Sequence, residues 1–278
     1  MQNPDTLGLI AGYGRLPFMV AQGAKKAGLK VVCIGISGSV DVSLAEHVDY
    51  FTTGAIARPG KWIRKLRKNG ASNTIMVGAV KKSQMFAPFR IVKNLPDWRA
   101  FRIWYWRLRK KDKRNDSILG ALADELASGN IFIEDSTMYC KEHLADKGVM
   151  TRCQPPASVV EDIEFGWQLV KRIGELDIGQ AIAVKEKEVI AVEAIEGTAE
   201  MIERAGNLCR KGGWTLIKTS KPGQDMRFDV PCIGPDTIES LAKNGGKCVV
   251  VEKDKTIIID KPETLALADK LSIPVYGH

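Results

Sequence analysis

LGLIAGYGRLPFMVAQGAKKAG, residues 7 to 28, decides the fold. Leu7 to Ala11 is an apolar run of strand length, Gly12 and Gly14 supply a turn, Pro17 suits the first turn of a helix, and Gly28 closes that helix. KVVCIGI (30 to 36) follows as a second apolar strand. Further apolar runs at NTIMVGAV (73 to 80) and GNIFIED (129 to 135) alternate with helical patterns at KWIRKLRKNG (61 to 70) and SILGALADELASG (117 to 129). This alternation of strand and helix predicts an α/β chain that opens with a Rossmann-like, parallel-sheet nucleotide-binding domain over residues 1 to 150.

TRCQPPAS (151 to 158), with its Pro-Pro and no periodicity, is the expected linker. Beyond it, residues 159 to 278 read as a separate α+β domain, with an amphipathic helix in VVEDIEFGWQLVKRIGEL. β-rich runs follow, including a hairpin in AIAVKEKEVIAVE whose polar tip is Lys185 to Glu188. A chain of 278 residues with 45% hydrophobic content is long enough for two such domains.

The opening MQNPDTLGLIAG has no basic n-region ahead of an apolar core, and no window reaches membrane-spanning length, which predicts a cytoplasmic protein. Six scattered cysteines without a C-x-x-C pair predict reduced thiols. The three histidines, His47, His143 and His278, have no ligand spacing, so a metal here must be held by oxygen, which favours Mg²⁺, with Mn²⁺ as the alternative, over zinc. Residues 1 to 150 carry 24 Lys/Arg against 13 Asp/Glu, a net of +11, and residues 151 to 278 carry 17 against 20, a net of -3. The basic half suits phosphates, nucleic acid or an anionic membrane, and the acidic half suits a metal.

G-Y-G-R-L-P at 12 to 17 begins like a dinucleotide fingerprint but has Pro17 where the third glycine belongs, and the second strand ends without the acid that would hold a ribose. NAD is thereby disfavoured, although the turn can still offer backbone N–H groups and a helix N-terminus to a phosphate or nucleotide edge. The half-fingerprint leaves a nucleotide-dependent oxidoreductase or a nucleotide-sugar-binding module as rival readings. Residues 89 to 114 concentrate Trp98, Phe101, Trp104, Tyr105 and Trp106, with ten basic residues against two acidic ones from Arg90 to Arg114. Such a segment suits a membrane interface, single-stranded nucleic acid, or a surface helix that packs its aromatics on the core.

In SKPGQDMRFDVPCIG (220 to 234), Asp225, Arg227 and Asp229 alternate with Met226, Phe228 and Val230. An extended segment puts the three charges on one face, with the two acids about 13 Å apart at ~3.3 Å per residue and Arg227 about 6.6 Å from either. Only one acid of the two could then meet a single metal ion, and Arg227 would contact phosphate or tether Asp229. In VEAIEGT, Glu193 and Glu196 cannot share a strand face, so a turn before Gly197 must bring them together if both act.

The strings DIGQAIAV, VIAVEAIEGTAEMI and GGWTLIKTSKPGQDMRFDVPCIGPDTI, together with GLIAGYGRLP and MVGAVKK, resemble the two-domain UDP-2,3-diacylglucosamine pyrophosphatase family of lipid A biosynthesis over nearly the whole chain. The resemblance implies a Mg²⁺-dependent hydrolase that splits UDP-2,3-diacylglucosamine into UMP and 2,3-diacylglucosamine 1-phosphate. It also implies a cytoplasmic enzyme peripherally associated with the inner leaflet, without a nucleic-acid partner, and compatible with a homo-oligomer. It assigns Asp225 the catalytic role and makes Asp225, Glu193, Glu196 and Asp229 the metal candidates. The substrate-binding candidates are Gly12, Gly14, Arg15, Pro17 and Lys81 in the first half, and Gln180, Thr198, Lys221, Gln224 and Arg227 in the second. Where the family commonly has arginine after V-G-x-x, this chain has Lys81 and Lys82, point charges without a bidentate fork.

Overall fold

The computed structural model describes residues 5–80, 96–110 and 115–278. The chain forms two compact units, Met1–Cys140 with Asp225–Asp229, and Lys141–Gln224 with Val230–His278.

In the first unit, strands β1 (Thr6–Ala11), β2 (Lys30–Ile36), β3 (Tyr50–Gly54), β4 (Asn73–Val77) and β5 (Phe132–Ile133) form a parallel sheet in the order β3-β2-β1-β4-β5. Helices α1 (Leu16–Lys26), α2 (Pro59–Lys68), α3 (Trp98–Lys110) and α4 (Asn115–Ala127) occupy the connections. Trp62, Ile63 and Leu66 of α2 and Leu126 of α4 pack with Ile10, Val32 and Ile34 into one apolar core. The order turns around at β1, and the carboxyl ends of β1 and β4, on either side of that switch, flank the crevice where such sheets bind ligands. There the two strands approach too closely for side chains. The Gly12 N–H donates to the Val77 carbonyl at 2.8 Å, Tyr13 and Ala79 exchange backbone bonds of 2.7 and 2.9 Å, and a Cβ on Gly12 would lie 2.6 Å from the Gly78 carbonyl oxygen.

The second unit holds β6 (Gly148–Val149), β7 (Ala181–Lys185), β8 (Glu188–Val192), β9 (Trp214–Lys218), β11 (Gly246–Val251) and β13 (Val275–Gly277) in the order β6-β13-β11-β9-β7-β8. β9, β11 and β13 are parallel, and β7 runs against both β9 and β8. A small pair, β10 (Cys232–Ile233) and β12 (Ile257–Ile258), stands beside this sheet. Alternation divides the strands between two cores: Ile182, Val184, Ile217 and Val250 meet α5 (Ala157–Glu175), whereas Leu216, Val249 and Val251 meet α6 (Thr198–Leu208), α7 (Pro235–Lys243) and α8 (Lys261–Lys270). The expected β7–β8 hairpin is present, its tip residues Glu186 and Lys187 both at positive φ and both donating their backbone N–H groups to the buried Asp162 carboxylate.

Three expectations require correction. The boundary falls after Cys140 rather than at 150, because Gly148 and Val149 already pair with β13. The expected linker at 151 to 158 lies inside the second unit, where the buried Thr151 accepts the Val275 N–H at 3.1 Å and α5 begins at Ala157. Residues 225 to 229 belong with the first unit: Phe228 packs against its core, and the Met226 carbonyl accepts the Ser136 hydroxyl at 2.6 Å and the Ser136 N–H at 3.2 Å. All six cysteines are free thiols, and burial pushes those of Cys33 and Cys248 up to about 12. Among the described residues no helix is long and apolar enough to cross a membrane.

Candidate functional site

The parallel strands of the second unit, together with β8, end at one edge of the sheet, and β7 starts there. Glu193 follows β8, Thr219 and Ser220 follow β9, Glu252 follows β11, and Gln180 precedes β7. At this edge the buried Glu193 accepts the Thr198 hydroxyl on Oε1 at 3.0 Å, and Thr198, the first residue of α6, accepts the Lys218 ammonium at 3.1 Å. Lys218 is only 7% exposed and also donates to the Cys232 carbonyl at 2.9 Å. Glu193 Oε2 and Gln180 Oε1 are buried without a hydrogen-bond partner among the described residues. These two orphaned oxygens are acceptors awaiting a proton donor or a cation.

Lys218 was not anticipated. Its signal is a lysine in TLIKTS at an i+2 position from Leu216, on the face of β9 that packs into the apolar core. A cation in that register needs a reason beyond solubility.

Glu196 does not join Glu193. Its carboxylate accepts the Ala194 N–H at 3.1 Å and pairs with Arg204, and its own backbone N–H and Arg204 hold it below the usual carboxylate range. Glu252 anchors the start of the charged motif, accepting the Ser220 N–H at 2.8 Å and hydroxyl at 2.7 Å while Lys171 and Lys255 pair with its other oxygen at 2.7 and 3.0 Å. Burial alone would raise its pKa, but Lys171, Ser220 and Lys255 outweigh burial and bring it from 4.5 to about 2. A depressed folded-state pKa stabilises above the unfolded value and loses that contribution as pH falls through the folded value. Stability is therefore expected to drop between pH 4.5 and 2 by about 3 kcal/mol from this group, and acid titration of Glu252→Gln followed by circular dichroism should show that portion missing.

After Ser220 the chain turns at Pro222–Gly223. Gln224 Oε1 accepts the Lys221 N–H at 2.8 Å and the Gln224 N–H returns to the Lys221 carbonyl at 3.0 Å, while the Lys221 ammonium reaches Asp177 at 2.7 Å.

In the first unit, Asp225 begins a second turn, and the expected extended stretch of alternating charges does not form. The Asp225 carbonyl accepts the N–H groups of Phe228 and Asp229 at 3.0 and 3.2 Å, and its Oδ1 accepts the Arg227 N–H at 3.0 Å. A short carboxylate capping the residue two positions on holds a turn more firmly than a strand would. Arg227 therefore folds back onto Asp225 in a bidentate pair, with Nη2 to Oδ2 at 2.6 Å and Nε to Oδ1 at 3.0 Å, instead of lying about 6.6 Å away or tethering Asp229. The guanidinium holds the Asp225 carboxyl below its ordinary range, and Arg227 also lies 5.0 Å from the Phe228 ring centre.

Gly12, Gly14, Arg15 and Pro17 form the β1–α1 turn at the carboxyl end of β1, where α1 starts without a side-chain cap. Lys81 lies outside the described residues, as does much of the aromatic basic stretch. Its described part is α3, which turns Trp98, Phe101, Trp104 and Tyr105 outward, so these four do not pack on the core. Arg99 and Arg102, flanking the aromatic face, hold α3 to the buried Glu125 of α4 at 2.6 and 3.4 Å.

Residues 6–143 match the LpxI N-terminal domain and residues 146–276 the LpxI C-terminal domain. The chain belongs to the LpxI family. A curated LpxI relative, the UDP-2,3-diacylglucosamine pyrophosphatase of Caulobacter vibrioides, is 30% identical over 278 residues, covering 98% of this chain and 96% of its own. A solved phosphoribosylglycinamide synthetase from Anaerococcus prevotii overlaps 72% of this chain and 34% of its own at a TM-score of 0.25 and 12% identity, too slight a likeness to bear on the fold. The LpxI domains meet between residues 143 and 146, close to the division after Cys140.

Proposed function

We propose that the chain hydrolyses the pyrophosphate bond of UDP-2,3-diacylglucosamine, giving UMP and 2,3-diacylglucosamine 1-phosphate, a step of lipid A biosynthesis. The observation that carries this reading is the match, over 98% of the chain, to a relative named for that substrate. The geometry supports it with fixed cations and ionised acids on strand ends and turns, which hydrolysis of an anhydride between two anionic phosphates requires.

The charge problem fixes the roles. Water adds to one phosphorus, the bridging P–O bond breaks, and negative charge grows on both products. The Lys218 ammonium has three protons, of which two meet Thr198 and the Cys232 carbonyl, leaving one for an anionic oxygen. Arg227, held side-on by Asp225 through Nε and Nη2, keeps the N–H groups of Nη1 and the second N–H of Nη2 for a phosphate. A carboxyl held below its ordinary range is a weak proton acceptor, so Asp225 serves as an orienting and electrostatic group rather than as a proton store. Gln180, Thr198, Lys221 and Gln224 supply sugar and phosphate hydrogen bonds, and the turn at Gly12, Gly14, Arg15 and Pro17 receives the nucleotide end, with Lys81 as a further phosphate contact.

Magnesium, or manganese in its place, is proposed as the cofactor. Among the described residues no three Asp, Glu, His or Cys side chains converge as a metal site. The acids present fit the sparse form that Mg²⁺ prefers, one or two carboxylates with water and substrate phosphates completing the shell. Asp225 is the first ligand candidate and Glu193, with its orphaned Oε2, the next, with Asp229 a further candidate; Glu196, paired with Arg204 apart from Glu193, drops out. When bound, such an ion neutralises phosphate oxygens and draws electrons from the attacked phosphorus. UMP release from the lipid substrate is expected with Mg²⁺ and is expected to stop in EDTA. Undiminished release in EDTA would remove the cofactor, and absence of release under both conditions would remove the activity.

The substrate's acyl chains call for a membrane surface, and we assign that contact to the outward aromatics of α3, in a cytoplasmic protein peripheral to the inner leaflet.

A further inference from the structure

At the carboxyl ends of β2 and β3 the first unit has a cavity of about 290 Å³ lined by Ser37, Arg58, Lys61, Trp62, Arg64 and Lys65 among others. Four of these are cations, and no acid is among the lining residues. Lys65 is held in place by the Thr52 hydroxyl at 2.7 Å and the Thr53 carbonyl at 3.0 Å. Trp62 is 1% exposed, and its indole Nε1 has no hydrogen-bond partner among the described residues. A Cβ on Gly54, another lining residue, would lie 2.6 Å from that nitrogen, so glycine lets the indole pack directly against the end of β3 and floor the cavity. A concave group of lysines and arginines with no acid among its lining asks for an anionic oxygen.

The surroundings indicate where such an oxygen would come from. Asp97 joins the cavity wall to the aromatic helix: its Oδ2 accepts the Gly60 N–H in the first turn of α2 at 2.7 Å and its Oδ1 accepts the Ala100 N–H in the first turn of α3 at 2.9 Å. The aromatic face of α3 begins at the next residue, with Trp98 72% exposed and stacked on Phe101 at 5.5 Å, and Phe101 against Trp104 at 5.9 Å. Exposed tryptophan beside a cationic pocket is the arrangement that meets a bilayer at headgroup depth. We infer that the cavity binds the phosphate headgroup of an anionic phospholipid while the adjoining face of α3 lies in the bilayer interface.

The inference shares the α3 face with the membrane contact proposed above, but vesicle binding measured without substrate reads the pocket whichever way the UMP assay falls. The full chain is to be co-sedimented with phosphatidylcholine vesicles containing or lacking phosphatidylglycerol, and titrated separately with glycerol 1-phosphate and with inorganic phosphate. Binding is expected with phosphatidylglycerol, and removal of two headgroup cations in K61A/R64A is expected to weaken it roughly 20-fold, at a few-fold for each surface cation. The equally charged control R67A/K68A, at the other end of α2 and outside the cavity lining, is expected to bind as the parent does. Equal weakening by both pairs would show diffuse charge attraction and overturn the pocket. Binding of soluble phosphate without any vesicle association would overturn the lipid source, as would vesicle binding unchanged in K61A/R64A.

Discussion

Asp225→Ala is expected to lower turnover of the lipid nucleotide roughly 10²- to 10³-fold, the usual loss when one preorganised electrostatic group is removed from a phosphoryl or acyl transfer site. Folding should survive, because the pair it forms with Arg227 is partly exposed and such pairs contribute at most about 1 kcal/mol. Asp225→Asn separates the two jobs of this side chain. An amide oxygen can still cap the Arg227 N–H and keep the turn, but the carboxylate charge is lost. If the charge matters, Asn should be nearly as slow as Ala while melting with the parent; if only the turn matters, Asn should be nearly as fast as the parent. Either variant turning over at the parental rate would remove Asp225 from the reaction.

The second large effect belongs to Lys218. Lys218→Met keeps the apolar stem that packs along β9 but removes the ammonium, and kcat is expected to fall about 10²-fold with a smaller change in KM. The Cys232 carbonyl loses its donor, costing about 1–3 kcal/mol in urea unfolding. Thr198→Val distinguishes positioning from charge: it cuts the link between Lys218 and Glu193 while leaving both ionisable groups, and a drop of about tenfold is expected. A Lys218→Met protein that is destabilised yet fully active would make the lysine purely structural.

The strand, glycine turn and helix at residues 7 to 28 were legible because each signal is local: an apolar run, glycines at the turn, a proline in the first helical turn. β3 was not, since YFTTG is an edge strand whose residues are half-buried or exposed and so shows neither a continuous apolar run nor clean alternation. The misreading of 225 to 229 has a similar origin. Charges at every second position imitate the period of a strand, but a carboxylate that bonds its neighbour's backbone favours a turn, and the preceding Pro222–Gly223 pair was the available hint. Lys218 was hidden because a lysine at the end of an apolar strand reads as an ordinary polar terminus; only the register, known once β9 is paired with β7 and β11, shows that it points inward. Gln180, Glu193 and Thr198 were picked individually, and the pairing of β7 with β8 and β9 is what assembles them at one edge.

The first unit draws five residues, 225 to 229, from a part of the chain 85 positions beyond its own last residue. A truncation product ending at Cys140 would therefore lack the acceptor that quenches the Ser136 hydroxyl and amide, and would leave bare the patch that Phe228 shields. The first unit made on its own is thermodynamically unfinished, so expression trials should keep the gene intact or supply both pieces together.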